Sequence, residues 1–130
     1  MTPYEIQRAV DVFLSSWTTT PIRYVSMPAP ALPYIEHHLL LGDVIGLEIQ
    51  GVAERVGVLA IDIFTVMTAG DLAGFSYGGS LEEMFWHKKT GRLFFENADQ
   101  MPSTTKAGID EARRAFHFQT TIPLSIIMEY

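Results

Sequence analysis

The stretch Arg55-Val56-Gly57-Val58-Leu59-Ala60-Ile61-Asp62-Ile63-Phe64-Thr65-Val66 decides the fold. Val56, Val58, Ala60, Asp62, Phe64 and Val66 alternate with Gly57, Leu59, Ile61, Ile63 and Thr65. Side chains on a strand point alternately to its two faces, so both faces of this one are largely apolar. Such a run predicts a central strand covered on at least one side by helix.

Immediately after it, Thr68-Ala69-Gly70-Asp71 ends the strand and opens a helix expected to reach about Trp86. Leu72, Phe75, Tyr77, Leu81, Met84 and Phe85 give that helix its apolar character. Gly74, Gly78 and Gly79 lower its propensity, unless glycines in one stripe let it lie close on a sheet or a neighbour. Thr90-Gly91 reads as a turn and Arg92 to Glu96 as a strand. Asn97 to Gly108, with Pro102 and Ser103-Thr104-Thr105, reads as a long mobile loop. Ala115 to Thr121 and Leu124 to Tyr130 are strands, and Pro123 between them implies a bulge or a corner.

On the amino-terminal side, Val44 to Gln50 and Tyr34 to Leu41 read as two strands with Gly42-Asp43 between them. Met27 to Pro33 carries Pro28, Pro30 and Pro33, so it must be extended and cannot donate fully to a ladder. Ile22 to Val25 is a short strand. The chain begins with a well-marked helix: Thr2 as N-cap, Pro3 at the first helical position, and Glu5 completing a capping box. Ile6, Ala9, Val10, Phe13, Leu14 and Trp17 recur at helical spacing, and the helix should end near Ser16. The element order predicts an α+β fold, two helices packed on one face of a mostly antiparallel β-sheet.

The 130 residues support one domain spanning 1–130, long enough to bury roughly two-thirds of its unfolded surface. There is no cysteine, so neither disulfides nor thiolate metal sites are available. Nine Lys+Arg against fifteen Asp+Glu give a net charge of −6, and the densest basic group is only His87, Lys88, Lys89 and Arg92. Specific nucleic-acid binding is therefore not expected, whereas an acidic surface suits a channel through which DNA slides. No secretory signal and no membrane helix are expected, since no apolar run approaches the roughly 20 residues a span needs. The chain is 48% hydrophobic and 18% charged. That balance fits either an obligate oligomer or a well-filled core.

Few groups suggest covalent chemistry. His37 and His38 are neighbours on a strand and point to opposite faces, so they cannot chelate one ion together. Glu36 and His38 share a face, with Asp62 or Glu48 as a possible third ligand, but the spacing matches no zinc motif. Polar residues on a half-exposed strand are the preferred reading. Asp62, inside the apolar strand, is expected to pair with Arg23 or Arg55 or to face a subunit contact. No phosphate loop, dinucleotide fingerprint or nucleophile elbow is present. Phe85-Trp86-His87-Lys88-Lys89 reads as a helix C-terminus whose cations complement the dipole. No catalytic residue, metal or cofactor is expected, and the chain reads as a non-enzyme.

The ordered pieces resemble the tail-terminator (minor tail, tail-completion) proteins of long-tailed bacteriophages. They are the amphipathic helix Pro3 to Trp17, the proline-led strand Pro33-Tyr34-Ile35-Glu36-His37-His38-Leu39-Leu40-Leu41, and the strand Arg55 to Phe64. The turn Thr68-Ala69-Gly70 follows, then a helix ending on Leu81 and Phe85, then Thr121-Ile122-Pro123-Leu124-Ser125-Ile126. The resemblance implies two helices on a β-sheet and a homo-oligomeric, hexameric ring. Such a ring caps the head-proximal end of the tail tube in the virion, after assembly in the host cytoplasm. It implies contacts with the tail-tube protein and with a head-completion or connector protein, and DNA passing through the ring. Met101, Pro102, Thr104, Thr105 and Lys106 are expected at an assembly surface, with the arm carrying Pro28 and Pro30 lying on the neighbouring subunit. Two other readings stay open. One is another head–tail connector ring. The other is a small α+β ligand-binding domain or enzyme, with Phe75, Tyr77, Phe85, Trp86 and Phe118 lining a pocket and Asp62 as its acid.

Overall fold

A computed structural model describes residues 1–24, 27–46, 51–97 and 100–129. Its elements are α1 (Pro3–Leu14), β1 (Ile22–Arg23), β2 (Tyr34–Gly46), β3 (Val52–Val66), α2 (Gly70–Phe85), β4 (Lys89–Thr90), β5 (Leu93–Phe94), β6 (Ser103–Asp110) and β7 (Ala115–Glu129). The sheet runs β1-β2-β3-β7-β5-β4, and β6 adds to β7. Every pairing is antiparallel except the short β1–β2 pair. The expected α+β architecture is the observed one, with both helices on one face.

β3 is central, as its two apolar faces require. It pairs with β2 from Tyr34↔Phe64 to Gly46↔Ala53 and with β7 from Val66↔Ala115 to Val52↔Glu129. That register puts Leu59, Ile61 and Ile63 in one row set with Ile35, Phe118 and Ile122, all fully buried beneath the helices. Ile6, Val10 and Leu14 of α1 and Leu81 and Phe85 of α2 close the same core. Each such side chain contributes roughly 1.5–3 kcal/mol when fully buried. Phe13 ties the helices together, its ring 5.0 Å from Phe85 and 4.7 Å from Phe95.

The N-terminus of α1 carries the expected capping box, with Glu5 N–H donating to Thr2 Oγ1 and Thr2 N–H to Glu5 Oε2. Ser15 and Ser16 turn their hydroxyls back onto the carbonyls of Val12 and Phe13, where the helix stops. The glycines of α2 separate into two kinds. A Cβ at Gly74 would overlap the ring of Phe118, and one at Gly78 would overlap Thr104. A Cβ at Gly79 meets nothing within 4 Å. The first two let the helix settle directly on β6 and β7.

Two expectations about the long strands need correction. Gly42-Asp43 does not separate two strands; it forms a bulge within continuous β2. The strand expected to Gln50 is observed to Gly46, and residues 47–50 lie outside the described residues, as do Val25 and Tyr130. Pro123 neither bulges nor turns β7. Ile127 N–H donates to Arg92 O, so odd positions of β7 direct their backbone toward the β5 side. Pro123 shares that parity and sits between the β6 pairing, which ends at Thr121, and the β5 pairing, which starts at Ser125. Its missing N–H therefore falls where β7 has no described partner strand.

The largest correction concerns Asn97 to Gly108. Asn97 and Gln100 form an isolated bridge, and Ser103–Asp110 is strand β6, paired with β7 from Ser103↔Thr121 to Asp110↔Ala115. Polar, turn-forming residues concealed a strand because β6 is mostly exposed and has no apolar face of its own. Gly108, at φ 123°, supplies the conformation for the register shift between Lys106 and Gly108. Ala98 and Asp99 lie outside the described residues.

The two kinds of glycine predict opposite signs. Gly74→Ala should destabilise by about 1–3 kcal/mol through overlap with Phe118. Gly79→Ala should stabilise by up to about 1 kcal/mol through helix propensity. Urea unfolding of the two variants beside the wild type measures both.

Candidate polar site on the uncovered sheet face

The face of the sheet turned away from the helices carries Tyr34, Glu36 and His38 from β2, Ala60, Asp62 and Phe64 from β3, and His117 and Gln119 from β7. Glu36 lies directly opposite Asp62, and Asp62 opposite Gln119. Both carboxylates are only 8% exposed. Two like charges facing each other across a ladder are destabilising unless each has partners, and each does.

Glu36 is held from two sides by guanidinium groups. Arg23 Nη1 contacts Oε1, and Arg113 Nη2 lies 3.3 Å from Oε1 and 3.4 Å from Oε2. Arg113 is itself fixed: Nε donates to Tyr34 Oη at 3.0 Å, Nη1 to Asp110 Oδ2 at 2.7 Å, and the guanidinium lies 4.3 Å from the Phe64 ring centroid. Burial opposes its charge, but the bonds to Tyr34, Asp110 and Glu36 outweigh burial and raise its pKa. The Arg113 backbone N–H, followed by its side chain, holds the Asp110 carboxyl below the usual range.

Asp62 has a different set of partners. His117 Nε2 is 2.7 Å and Gln119 Nε2 3.1 Å from Oδ1, while His38 Nε2 is 3.2 Å from Oδ2. His117 is steadied by stacking on Phe64, with ring centroids 4.8 Å apart. The ion pair expected for Asp62 with Arg23 or Arg55 is therefore replaced by histidine contacts, and Arg23 serves Glu36 instead. Glu36, His38 and Asp62 each offer a ligand atom within 4.8 Å of the other two. Of the two candidate third ligands, Asp62 joins the pair; Glu48 lies outside the described residues.

His37 points the other way, as strand alternation requires. It lines a surface groove with Gln7, Asp11, Tyr24 and Leu39. Its Nε2 is 3.7 Å from Asp11 Oδ1, and its buried Nδ1 has no hydrogen-bond partner among the described residues. Desolvation lowers the His37 pKa, with Asp11 opposing the shift and His38 adding to it.

The residues expected at an assembly surface divide between the two sheet faces. Pro102 is buried and does not belong to an exposed loop. Thr104 turns inward beneath α2, 2.9 Å from Glu82 Oε2 and 2.8 Å from Thr120 Oγ1. Lys106 Nζ pairs with Asp71 at 2.8 Å and lies over the Phe116 ring. Thr105 is exposed on the opposite face, Met101 and Pro30 are half-buried, and Pro28 is exposed. The pocket imagined for an enzyme is not formed as drawn. Phe85 and Phe118 are fully buried in the helix-covered core, Trp86 is exposed, and Asp62 lies on the other side of the sheet. Arg113 and His117 escaped the sequence reading because the turn between β6 and β7 brings Arg113 to Glu36, and the β3–β7 register brings His117 to Asp62.

In comparisons with known proteins, no family model and no curated sequence matches this chain.

Two outcomes are expected here. Arg113→Ala should cost about 1–3 kcal/mol in urea unfolding, and adding Glu36→Gln should recover part of that loss, because the carboxylate left behind is then neutral. His37 is harder to protonate folded than unfolded, so its contribution is full above the unfolded pKa of about 6.5 and lost as pH falls below it. A thermal-melt series from pH 8 to pH 5 should show that decline, and His37→Phe should flatten it.

Proposed function

We propose that this chain is a structural subunit of a phage tail, forming a ring that caps the head-proximal end of the tail tube. One observation carries the reading: two groups among the exposed apolar side chains stand at opposite ends of the sheet. Val66, Met67, Leu72 and Ile109 lie where β3 ends, α2 begins and β6 turns into β7; Leu72 is 84% exposed. Val44 and Ile45, the latter 57% exposed, lie at the other end of the sheet, opposite Arg55 and Glu54. From Glu54 to Val66, β3 spans roughly 40 Å at about 3.3 Å per residue.

Two separate apolar patches on one chain suit a heterologous contact, in which one subunit's first patch meets the next subunit's second. Repetition of such a contact closes a ring when the rotation allows. The α+β fold with its two helices on one face agrees with what the resemblance to tail terminators implies. A net charge of −6 suits a ring whose lumen passes DNA without holding it. Among the described residues, no helix is long and apolar enough to cross a membrane. The tail-tube protein and a head-completion protein are the proposed partners, and the work is done by shape-matched contact without catalysis.

Light scattering after size exclusion, with and without tail-tube protein, tests this reading. A hexamer, or a monomer that assembles on tubes, is expected. Ile45→Asp and Leu72→Asp should each block ring growth alone, while an equimolar mixture should give dimers, since one intact contact survives per pair. A wild-type monomer that ignores tubes, or a mixture that stays monomeric, would sink the proposal.

A further inference from the structure

We infer that Glu36, His38 and Asp62 form a binding site for a divalent transition-metal ion of the zinc, cobalt and nickel class. The site is independent of the ring reading, because all three residues lie on one chain and on two paired strands.

The donor set is one imidazole and two carboxylates, a mixture that suits these metals. His38 Nε2 and Asp62 Oδ2 are 3.2 Å apart. Two ligands about 2.0–2.2 Å from a shared ion stand at about that separation, so little movement is needed for both to reach it. Glu36 faces Asp62 across the ladder and completes the group.

Neighbouring residues orient these ligands. His117 and Gln119 both engage Asp62 Oδ1, which leaves Oδ2 directed at His38. Arg23 and Arg113 hold Glu36, and Tyr34 and Asp110 hold Arg113. Ligating carboxylates are commonly fixed by such outer hydrogen bonds. The two buried carboxylates cannot move far, whereas the His38 side chain is 54% exposed and gives an ion its route in from solvent. The charges facing the site are Glu36, Asp62 and, further out, Asp110, against Arg23 and Arg113. The guanidiniums neutralise part of the negative field, so binding should be reversible and readily stripped by chelator. With three protein ligands, the remaining coordination positions are left for water or for a donor from another molecule.

The test titrates Co²⁺ into chelator-treated full-length protein, following the visible d–d absorption, and repeats it as a thermal shift with Zn²⁺. One equivalent per chain should bind, and a hundredfold excess over Kd should raise the melting temperature by about 5–10 °C. His38→Ala, at an exposed position that leaves the core untouched, should abolish both signals. Asp62→Asn should do the same, while His87→Ala, remote from the site, should leave them unchanged. Absence of saturable binding to the wild type overturns the inference. So does a His38→Ala protein that binds as the wild type does, or a signal lost only in His37→Ala, which would move the ion to the groove beside Asp11.

Discussion

The pairing of β3 with β7, unbroken from Val66↔Ala115 to Val52↔Glu129, is the constraint on which the other features rest. Side-chain direction in a strand has a period of two, so this register assigns every residue of both strands to a face. It sends Leu59, Ile61, Ile63, Phe118 and Ile122 under the helices and Asp62, His117 and Gln119 to the other side. A slip by one residue would bury Asp62 among leucines and isoleucines and leave the helices facing polar groups. The apolar rows and the polar rows thus enforce the same alignment from opposite faces. Such agreement between levels is what gives a sequence one structure.

The same register explains why two glycines in α2 are useful despite their cost to the helix. Phe118 and Thr104 rise from β7 and β6 into the places where Gly74 and Gly78 would otherwise carry side chains. α2 therefore lies close to the sheet, and Glu82 reaches Thr104 while Asp71 reaches Lys106. β6, mostly exposed, is held by these contacts and by its ladder to β7 rather than by an apolar face. The uncovered face has a different logic. There, two buried carboxylates meet, and histidines and guanidiniums divide them, one set to Asp62 and one to Glu36. That division makes the cluster tolerable for folding and leaves one carboxylate oxygen turned toward an exposed imidazole.

A large part of this arrangement was legible in the residues. The capping box at Thr2 and Glu5, the stripe Ile6, Val10 and Leu14, and the two-sided run from Val56 to Val66 carry their structure in local pattern. Helix and strand periods are set by backbone geometry, and a strong apolar pattern fixes them without reference to the rest of the chain. The opposite directions of His37 and His38 followed from the same rule. The glycines of α2 announced a close approach, though not the residues approached.

What only tertiary structure decided depends on partners far apart in sequence. Ser103 to Asp110 has the polarity of a loop, and its strand character comes from β7, which offers it a free ladder of donors and acceptors. Pro123 looks like a break, yet it is accommodated because β6 stops at Thr121 and β5 starts at Ser125. Arg113 meets Glu36, and His117 meets Asp62, across long separations that no local spacing encodes. The sequence by itself determined which segments are helix or core strand, because burial and backbone period act locally. The fold alone decided which charges share a site, because electrostatic partners are chosen by register and not by distance along the chain.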